Sequence, residues 1–275
     1  YKNISLISIK TLVTMNFEGI QHNFQEFCER LRVLILNSFN YFEIKMLADI
    51  VYNIALKLLK DYQQDKVSEF LVEYLTLYQI QNNLIPFCIN LYSLIMQNKN
   101  FYLRCRTFLE EITSEIILVG LQWDNIEIKL DSIAIFSKIS KHVGDDFIDA
   151  HQEHIGIIYQ LADNSLEINE NNESNFYKLW SLLSKIDIKI SYPLFETAHT
   201  ILPSENLSPE NRNILFQFII KKNELIRAEY LEDLITGYFA AQCEIEEVDN
   251  TDFVFCSLIK VDEEESYELF KREIL

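Results

Sequence analysis

Residues 140–154, SKHVGDDFIDAHQEH, bring aspartates, a glutamate and histidines together within fifteen positions. Imidazole nitrogens and carboxylate oxygens are common ligands of Zn²⁺, and the same groups transfer protons in general acid–base catalysis. A metal or catalytic site would need these side chains to converge on one point. The alternative is a simple bend between two helices, since Gly144 can end a helix in a left-handed turn.

A helix predicted over residues 146–163 decides between these interpretations, because helical periodicity fixes which side chains share a face. His151 and His154 fall on the arc of the apolar side chains. A second arc carries three carboxylates: Asp146, Asp149 and Glu153. The metalloprotease pattern HExxH spaces its histidines four apart so that both reach one ion, but these two are three apart. We therefore expect packed histidines, no metal site, no catalytic residue, and an acidic partner-binding face formed by the three carboxylates.

Other sequence signals of catalysis are missing. The chain has no GxxxxGK, GxGxxG or GxSxG motif, so no nucleotide cofactor and no hydrolase nucleophile of those types is expected. Its five cysteines form no CxxC pair, and most lie in apolar helical patterns where a free thiol packs as a small hydrophobe. Cys28 and His22 are six residues apart, and packing explains Cys28 better than nucleophilic catalysis. The cysteine usage favours a reducing compartment, the cytoplasm or nucleus.

The elements that position these residues are predicted to be helices. Only 5 Gly and 4 Pro occur in 275 residues, and apolar residues recur every three or four positions. Asp124 and Glu127 resemble a capping box before one such stripe, and Ser208 with Pro209 marks the start of another. We predict helices near residues 18–38, 41–63, 66–82, 84–98, 101–120, 125–143, 146–163, 173–186, 191–202, 209–226, 228–243 and 251–274. Residues 1–15 fit either a strand or a helix, and residues 163–174 and 203–211 read as polar loops.

A dozen helices with short links can form either a globular bundle or a solenoid of stacked antiparallel pairs. Helix pairs recur at about forty residues, a period typical of HEAT-type repeats. The segment 27–39 is apolar on two sides, as in a helix that packs on its own pair and on the next repeat. We therefore expect an all-α superhelical solenoid of antiparallel helix pairs that occupies residues 1–275 as a single region. Tyr1 opens within an apolar pattern and is not an initiator Met, as in a fragment of a longer chain.

The net charge of the chain limits the classes of partner that it can bind. The formal net charge is −18, and it is uneven along the chain. Residues 1–137 carry 12 basic and 15 acidic side chains, whereas residues 138–275 carry 12 and 27. Such a chain repels nucleic acid and anionic lipid and attracts proteins with basic segments. No charge-free run of eighteen apolar residues occurs, so no membrane span is expected.

Three segments resemble HEAT-type helices of the karyopherin-β family, the importins and exportins. They are FYLRCRTFLEEITSEIILVGL (101–121), LDSIAIFSKISKHVGDDFIDAHQEHIGIIYQLADN (130–164) and ESNFYKLWSLLSKI (173–186). In that family, a helix that ends in a VG turn is typically followed by an aromatic-led helix. The resemblance covers about a third of the chain. It implies a superhelical nuclear transport receptor that binds basic cargo on its inner, second-helix surface, and also a small GTPase and Phe-Gly nucleoporins.

Three functions stay open at this point. The first is a non-enzymatic transport receptor, or part of one, that binds basic cargo through an acidic surface. The second is a HEAT-type scaffold subunit of a chromosome, translation or trafficking complex. The third is a helical enzyme with an unrecognised site. Repeats and charge do not separate the first two.

Overall fold

The computed structural model describes an all-α chain: no strand occurs in the described residues. The structure describes residues 2–236 and Lys271. Within 2–236 it leaves out 16, 61–63, 144, 187–189, 205 and several positions between 223 and 233. At a few further positions, among them 108, 110–111, 142–143 and 145–146, the backbone is described but the side chain is not. The predicted helices at 228–243 and 251–274, and the turn at Gly144, therefore lie largely or wholly outside the described residues.

The chain forms two compact units, Tyr1–Lys138 and Ile139–Leu275. The helices of the first unit are α1 (Lys2–Met15), α2 (Phe17–Gln21), α3 (Phe24–Leu36), α4 (Tyr41–Lys60), α5 (Gln64–Leu75), α6 (Leu77–Ile80), α7 (Ile85–Gln97) and α8 (Lys99–Gln122). Helix α9 (Ile126–Val143) crosses the boundary. The second unit holds α10 (Asp145–Ala150), α11 (Gln152–Asp163), α12 (Ser165–Asn171), α13 (Glu173–Leu183), α14 (Tyr192–Ile201) and α15 (Pro209–Lys221).

In the first unit, helices that are not consecutive lie side by side. Helix α4 packs on α1 and on α7, while α5 packs on α8. Helix α3 reaches α5 through a hydrogen bond from the Tyr74 hydroxyl to the Cys28 carbonyl, 3.0 Å long, and an Arg32–Glu73 ion pair. Contacts between α4 and α5 and between α7 and α8 join the first set of helices, α1, α4 and α7, to the second set, α3, α5 and α8. The unit thus has two layers, one of α1, α4 and α7 and one of α3, α5 and α8.

The second unit follows the same rule. Helix α11 packs on α14, and α13 packs on α15. Helix α14 also packs on α15, and α12 packs on α13. The centre of this unit is Trp180, which is fully buried and lies edge-on to Phe218 at 5.2 Å between ring centroids. Trp180 is therefore a core residue of this unit.

Several local predictions need correction. The segment 1–15 fitted either a strand or a helix, and its described part, Lys2–Met15, is the helix α1. Asn125, and not Asp124, caps α9, because its side-chain oxygen accepts from the Glu127 N–H at 2.8 Å. The two-sided packing expected for residues 27–39 is not found, since Val33 and Phe39 are 58% and 76% exposed.

The predicted loop at 163–174 is also wrong, since most of it is α12. The start of α15 is as predicted: Pro209 takes its first position, and the Ser208 side chain accepts from the Asn211 N–H.

Candidate partner-binding surface at the α10–α11 bend

The helix predicted over 146–163 is in fact two helices that meet at His151. This residue has φ −119° and ψ 36°, outside the helical region. Its N–H donates to the Ile148 carbonyl at 3.2 Å, three residues back. Its ring nitrogen Nδ1 lies 2.6 Å from the Phe147 carbonyl, the acceptor that a continuous helix would give to the backbone N–H. A carbonyl can only accept, so Nδ1 carries the proton and gives the Phe147 carbonyl the donor that the backbone does not supply at the bend.

The two histidines belong to the packed interior. His151 and His154 are 9% and 4% exposed. The His151 ring stacks on Phe147 at 3.9 Å and meets the His154 ring edge-on at 4.8 Å. Burial lowers the pKa of His151, because the charged imidazolium loses water contacts. Among the described residues, no group of three or more His, Cys, Asp or Glu side chains is placed to hold a metal ion.

Two of the three predicted partner-binding carboxylates are exposed. Asp149 lies near the end of α10 and Glu153 in the first turn of α11, and both face solvent. The backbone of Asp146 is in α10, but its side chain is outside the described part of the chain. Because the helix breaks at His151, Asp149 and Glu153 do not lie on one straight helical arc as predicted. They flank the bend instead.

More exposed carboxylates follow along the second unit. They are Asp163, Glu167, Glu170 and Glu173. These residues lie at the end of α11, on α12 and at the start of α13. The α10–α13 segment therefore presents acid groups on every helix, as expected of a surface that attracts cations and basic chains.

An open depression of about 470 Å³ lies over α12. It is lined by Asn169, Glu170, Asn171, Asn172, Glu173 and Asn206. Beneath it, the Asn169 amide donates to the Asn206 carbonyl at 2.9 Å, and the Asn211 amide donates to the Asn169 side-chain oxygen at 2.7 Å. The first unit has a second depression of about 540 Å³, lined by Tyr52, Leu94, Gln97, Asn98, Lys99 and Asn100. The side chains of both linings suit hydrogen bonding, and neither includes a Ser–His or Cys–His pair.

The described cysteines are poor nucleophiles. Burial raises the pKa of Cys28, Cys88 and Cys105 to about 12. A thiol with such a pKa stays protonated at neutral pH, and the thiolate is the reactive form. Cys28 is therefore a packing residue, as its place in the apolar pattern indicates.

Comparisons with family models, with curated proteins and with solved structures found no match to this chain. Among the described residues, no helix combines the length and apolarity that a membrane crossing requires.

The sequence indicated that Asp149 and Glu153 are exposed but did not indicate the buried asparagines. Asn169 and Asn211 are 4% and 2% exposed and occupy core positions of their helices. A signal existed, since each replaces an apolar residue in the three–four spacing. Asn169 lies in the polar segment 163–174, which was predicted to be a loop because of its polarity.

Proposed function

We propose that this chain is a non-enzymatic protein-binding solenoid of antiparallel helix pairs that binds a basic segment of another protein through its acidic α10–α11 surface. The observation that carries the proposal is the packing within each unit. In each unit, helices that are two or three elements apart along the chain lie side by side. Helix α4 packs on α1 and α7, α5 packs on α8, α11 packs on α14, and α13 packs on α15. Short links between packed helices favour antiparallel pairs.

The spacing of the helices supports repetition. Helices α1, α4, α7 and α9 begin at Lys2, Tyr41, Ile85 and Ile126, and the intervals are 39, 44 and 41 residues. HEAT and armadillo repeats have periods of about 40–47 residues. In such stacks each helix contacts only its neighbours, and the exposed faces form extended surfaces for partners.

Charge supports the choice of partner. Asp149 and Glu153 are exposed at the bend, and Asp163, Glu167 and Glu170 continue the acidic surface. A single exposed ion pair contributes only about 0.2–1 kcal/mol, so several must act together. A Lys- and Arg-rich segment can contact several of these carboxylates at once.

The resemblance to the karyopherin-β family makes a nuclear transport receptor, or part of one, the more specific form of the proposal. In this form of the proposal, the partners include a small GTPase and Phe-Gly nucleoporins, and the chain acts in the cytoplasm or nucleus. A scaffold subunit is the alternative. The two differ in a simple observation: cargo leaves a transport receptor when the GTP-bound small GTPase is added or removed, whereas a scaffold keeps its partner in both conditions.

The proposed surface can be tested by replacing Asp146, Asp149 and Glu153 together with Ser. A fluorescent Lys- and Arg-rich peptide should bind the unmodified chain, and affinity should fall steeply with salt, since the screening length is only about 8 Å at physiological ionic strength. Three lost ion pairs at about 0.2–1 kcal/mol each predict an affinity for the variant that is weaker by about 3-fold to about 150-fold. Fluorescence anisotropy at two salt concentrations measures both effects.

The matched control removes three exposed carboxylates from the first unit, Glu18, Glu29 and Glu127, which are also replaced with Ser. It makes the same change in net charge and should bind the peptide as the unmodified chain does. Equal weakening by both triple variants would mean that only total charge matters. Absence of binding, or binding that salt leaves unchanged, would refute the proposed function.

A further inference from the structure

We infer that the depression over α12 is a second binding site, which recognises the peptide backbone of an extended segment of another protein. The depression measures about 470 Å³ and lies where α12 ends and α13 begins, with Asn206 from the link between α14 and α15 in its lining. The inference rests on the proposed function only in that the ligand is part of another protein, because none of the lining residues belongs to the α10–α11 surface.

Buried hydrogen bonds hold the two sides of this depression together. Asn169 is 4% exposed, and its amide donates to the Asn206 carbonyl at 2.9 Å. Asn211, 2% exposed, donates to the Asn169 side-chain oxygen at 2.7 Å and to the Glu173 carbonyl at 3.4 Å. The link that carries Asn206 is thus tied to the α12–α13 side by groups that solvent hardly reaches. A lining fixed in this way loses little conformational entropy when a ligand binds.

Two exposed amides of the lining have defined orientations. Asn171 is the last residue of α12, and its side-chain N–H donates to the Glu167 carbonyl at 2.8 Å. The side-chain oxygen of Asn172 accepts from the Ser174 N–H at 3.0 Å. A carbonyl can only accept and a backbone N–H can only donate, so each bond tells the amide oxygen from the amide nitrogen. Asn171 therefore keeps its oxygen for a ligand, and Asn172 keeps its N–H groups.

The third exposed amide, Asn206, can both donate and accept. Within the described part of the chain, only its main-chain N–H and C=O take part in hydrogen bonds. In an extended chain the N–H and C=O of one residue point to the same side, so a single side-chain amide can bond both. Asn171 adds an acceptor for one more N–H, and Asn172 adds a donor for one more C=O. Together the three amides match the backbone groups of two ligand residues.

The chemistry of the lining favours an extended peptide over other ligands. A helix already uses its backbone N–H and C=O groups internally, so it cannot offer them. The exposed carboxylates of Glu170 and Glu173 repel the phosphates of nucleic acid and favour a basic side chain beside the recognised backbone. Among the described residues of the lining none is aromatic, so no ring is present there on which a base could stack.

Two capped peptides of equal charge test the backbone contacts. Both consist of Ser and Thr around one central Arg, and the second carries methyl groups on two backbone nitrogens. Methylation keeps every side chain and charge but removes two N–H donors. In NMR titrations of the unmodified chain at millimolar peptide, the side-chain amide signals of Asn171, Asn172 and Asn206 should shift with the first peptide. The methylated peptide should bind about fivefold more weakly, or worse, as expected for two lost hydrogen bonds.

Asn171→Ala combined with Asn206→Ala should abolish this preference, because it removes the oxygens that accept from the two N–H groups. Both positions are exposed, so the variant should fold as the unmodified chain does. The matched control combines Asn37→Ala with Asn82→Ala, two exposed asparagines of the first unit. Asn37 donates to the carbonyl of Val33 in its own helix at 2.8 Å, as Asn171 does to that of Glu167. The control should keep the full preference.

Three results would overturn the site: no binding of either peptide, equal affinity of both for the unmodified chain, or a preference that the Asn171→Ala, Asn206→Ala variant retains. The proposed function fails on a different result, which is absent or salt-insensitive binding of the Lys- and Arg-rich peptide. Asp149 and Glu153 are unchanged in these variants, and the two capped peptides carry the same charge. Either claim can therefore fail while the other holds.

Discussion

Gly120 lies where three helices of the first unit approach closely. A Cβ at this position of α8 would be 2.7 Å from Cδ1 of Ile89 on α7 and still closer to Oγ of Ser132 on α9. Ser132 is fully buried, and its hydroxyl donates to the Ile128 carbonyl at 2.8 Å. Ile89 and Ser132 would have to shift to make room for a Cβ, and both are fully buried. Glycine is needed here for close approach and not for an unusual backbone conformation.

Gly120→Ala should therefore destabilise the protein even though alanine is the better helix former. Overpacking of a core costs about 1–3 kcal/mol, against a gain of about 1 kcal/mol in helix propensity. The free energy of unfolding in urea measures the balance.

Gly156→Ala is the matched control, because nothing lies within 4 Å of the added Cβ in α11. It should be neutral or stabilising, and the second change Ser132→Ala should restore part of the stability lost in Gly120→Ala. A change in stability for Gly120→Ala equal to that for Gly156→Ala would show that Ile89 and Ser132 do not crowd this position.

At the scale of elements, a buried amide pair joins α12 and α13 to α15. The Asn211 side chain donates to Asn169 at 2.7 Å and to the Glu173 carbonyl at 3.4 Å, and Asn169 donates to the Asn206 carbonyl. Each amide takes a position that an apolar side chain would otherwise fill. Buried polar groups of this kind are costly when a partner is removed, because the remaining group is left without water.

Asn211→Ala should lower the free energy of unfolding by about 1–3 kcal/mol, since it leaves the buried Asn169 oxygen without its donor. The double variant Asn169→Ala with Asn211→Ala should cost less than the two single changes added together, because the two residues share one hydrogen bond. Asn171→Ala, at an exposed position of the same helix, should change stability by no more than about 0.5 kcal/mol. Strict additivity of the two buried changes would contradict the pairing.

Most of the helices could be predicted from the sequence, because the apolar spacing and the Ser208–Pro209 start signal are local. Two features could not. The break at His151, where the ring bonds the Phe147 carbonyl, falls within a stretch whose apolar spacing in the sequence is that of one continuous helix. The sequence of helix α12 resembles a loop because its buried face carries the polar residues Ser165 and Asn169. The partner of Asn169, Asn211, lies on α15 and is distant in the sequence. The acidic surface was predictable from composition, but its split across a bend was not.

At the scale of the whole molecule, the two units differ in charge more than in architecture. Tyr1–Lys138 carries 13 basic and 15 acidic side chains, and Ile139–Leu275 carries 11 and 27. A strongly negative unit repels itself in the compact state, and unfolding separates the charges. Salt screens this repulsion within about 10 Å at 0.1 M and about 3 Å at 1 M. Added salt should therefore stabilise the second unit more than the first.

The chain offers a direct readout, because it has only two tryptophans, Trp123 in the first unit and Trp180 in the second. Trp123→Phe leaves Trp180 as the fluorescent reporter of the second unit, and Trp180→Phe leaves Trp123 to report on the first. Thermal unfolding of each variant at 0.05 M and 0.5 M NaCl should show a larger rise in the midpoint for Trp180 than for Trp123. Potassium chloride should act alike, since the effect is screening and not binding of a particular ion. Equal rises for both reporters would mean that the acidic charge of the second unit is already spread widely enough to cost little. In that case the carboxylates at the α10–α11 bend would generate a weaker field than a basic partner needs.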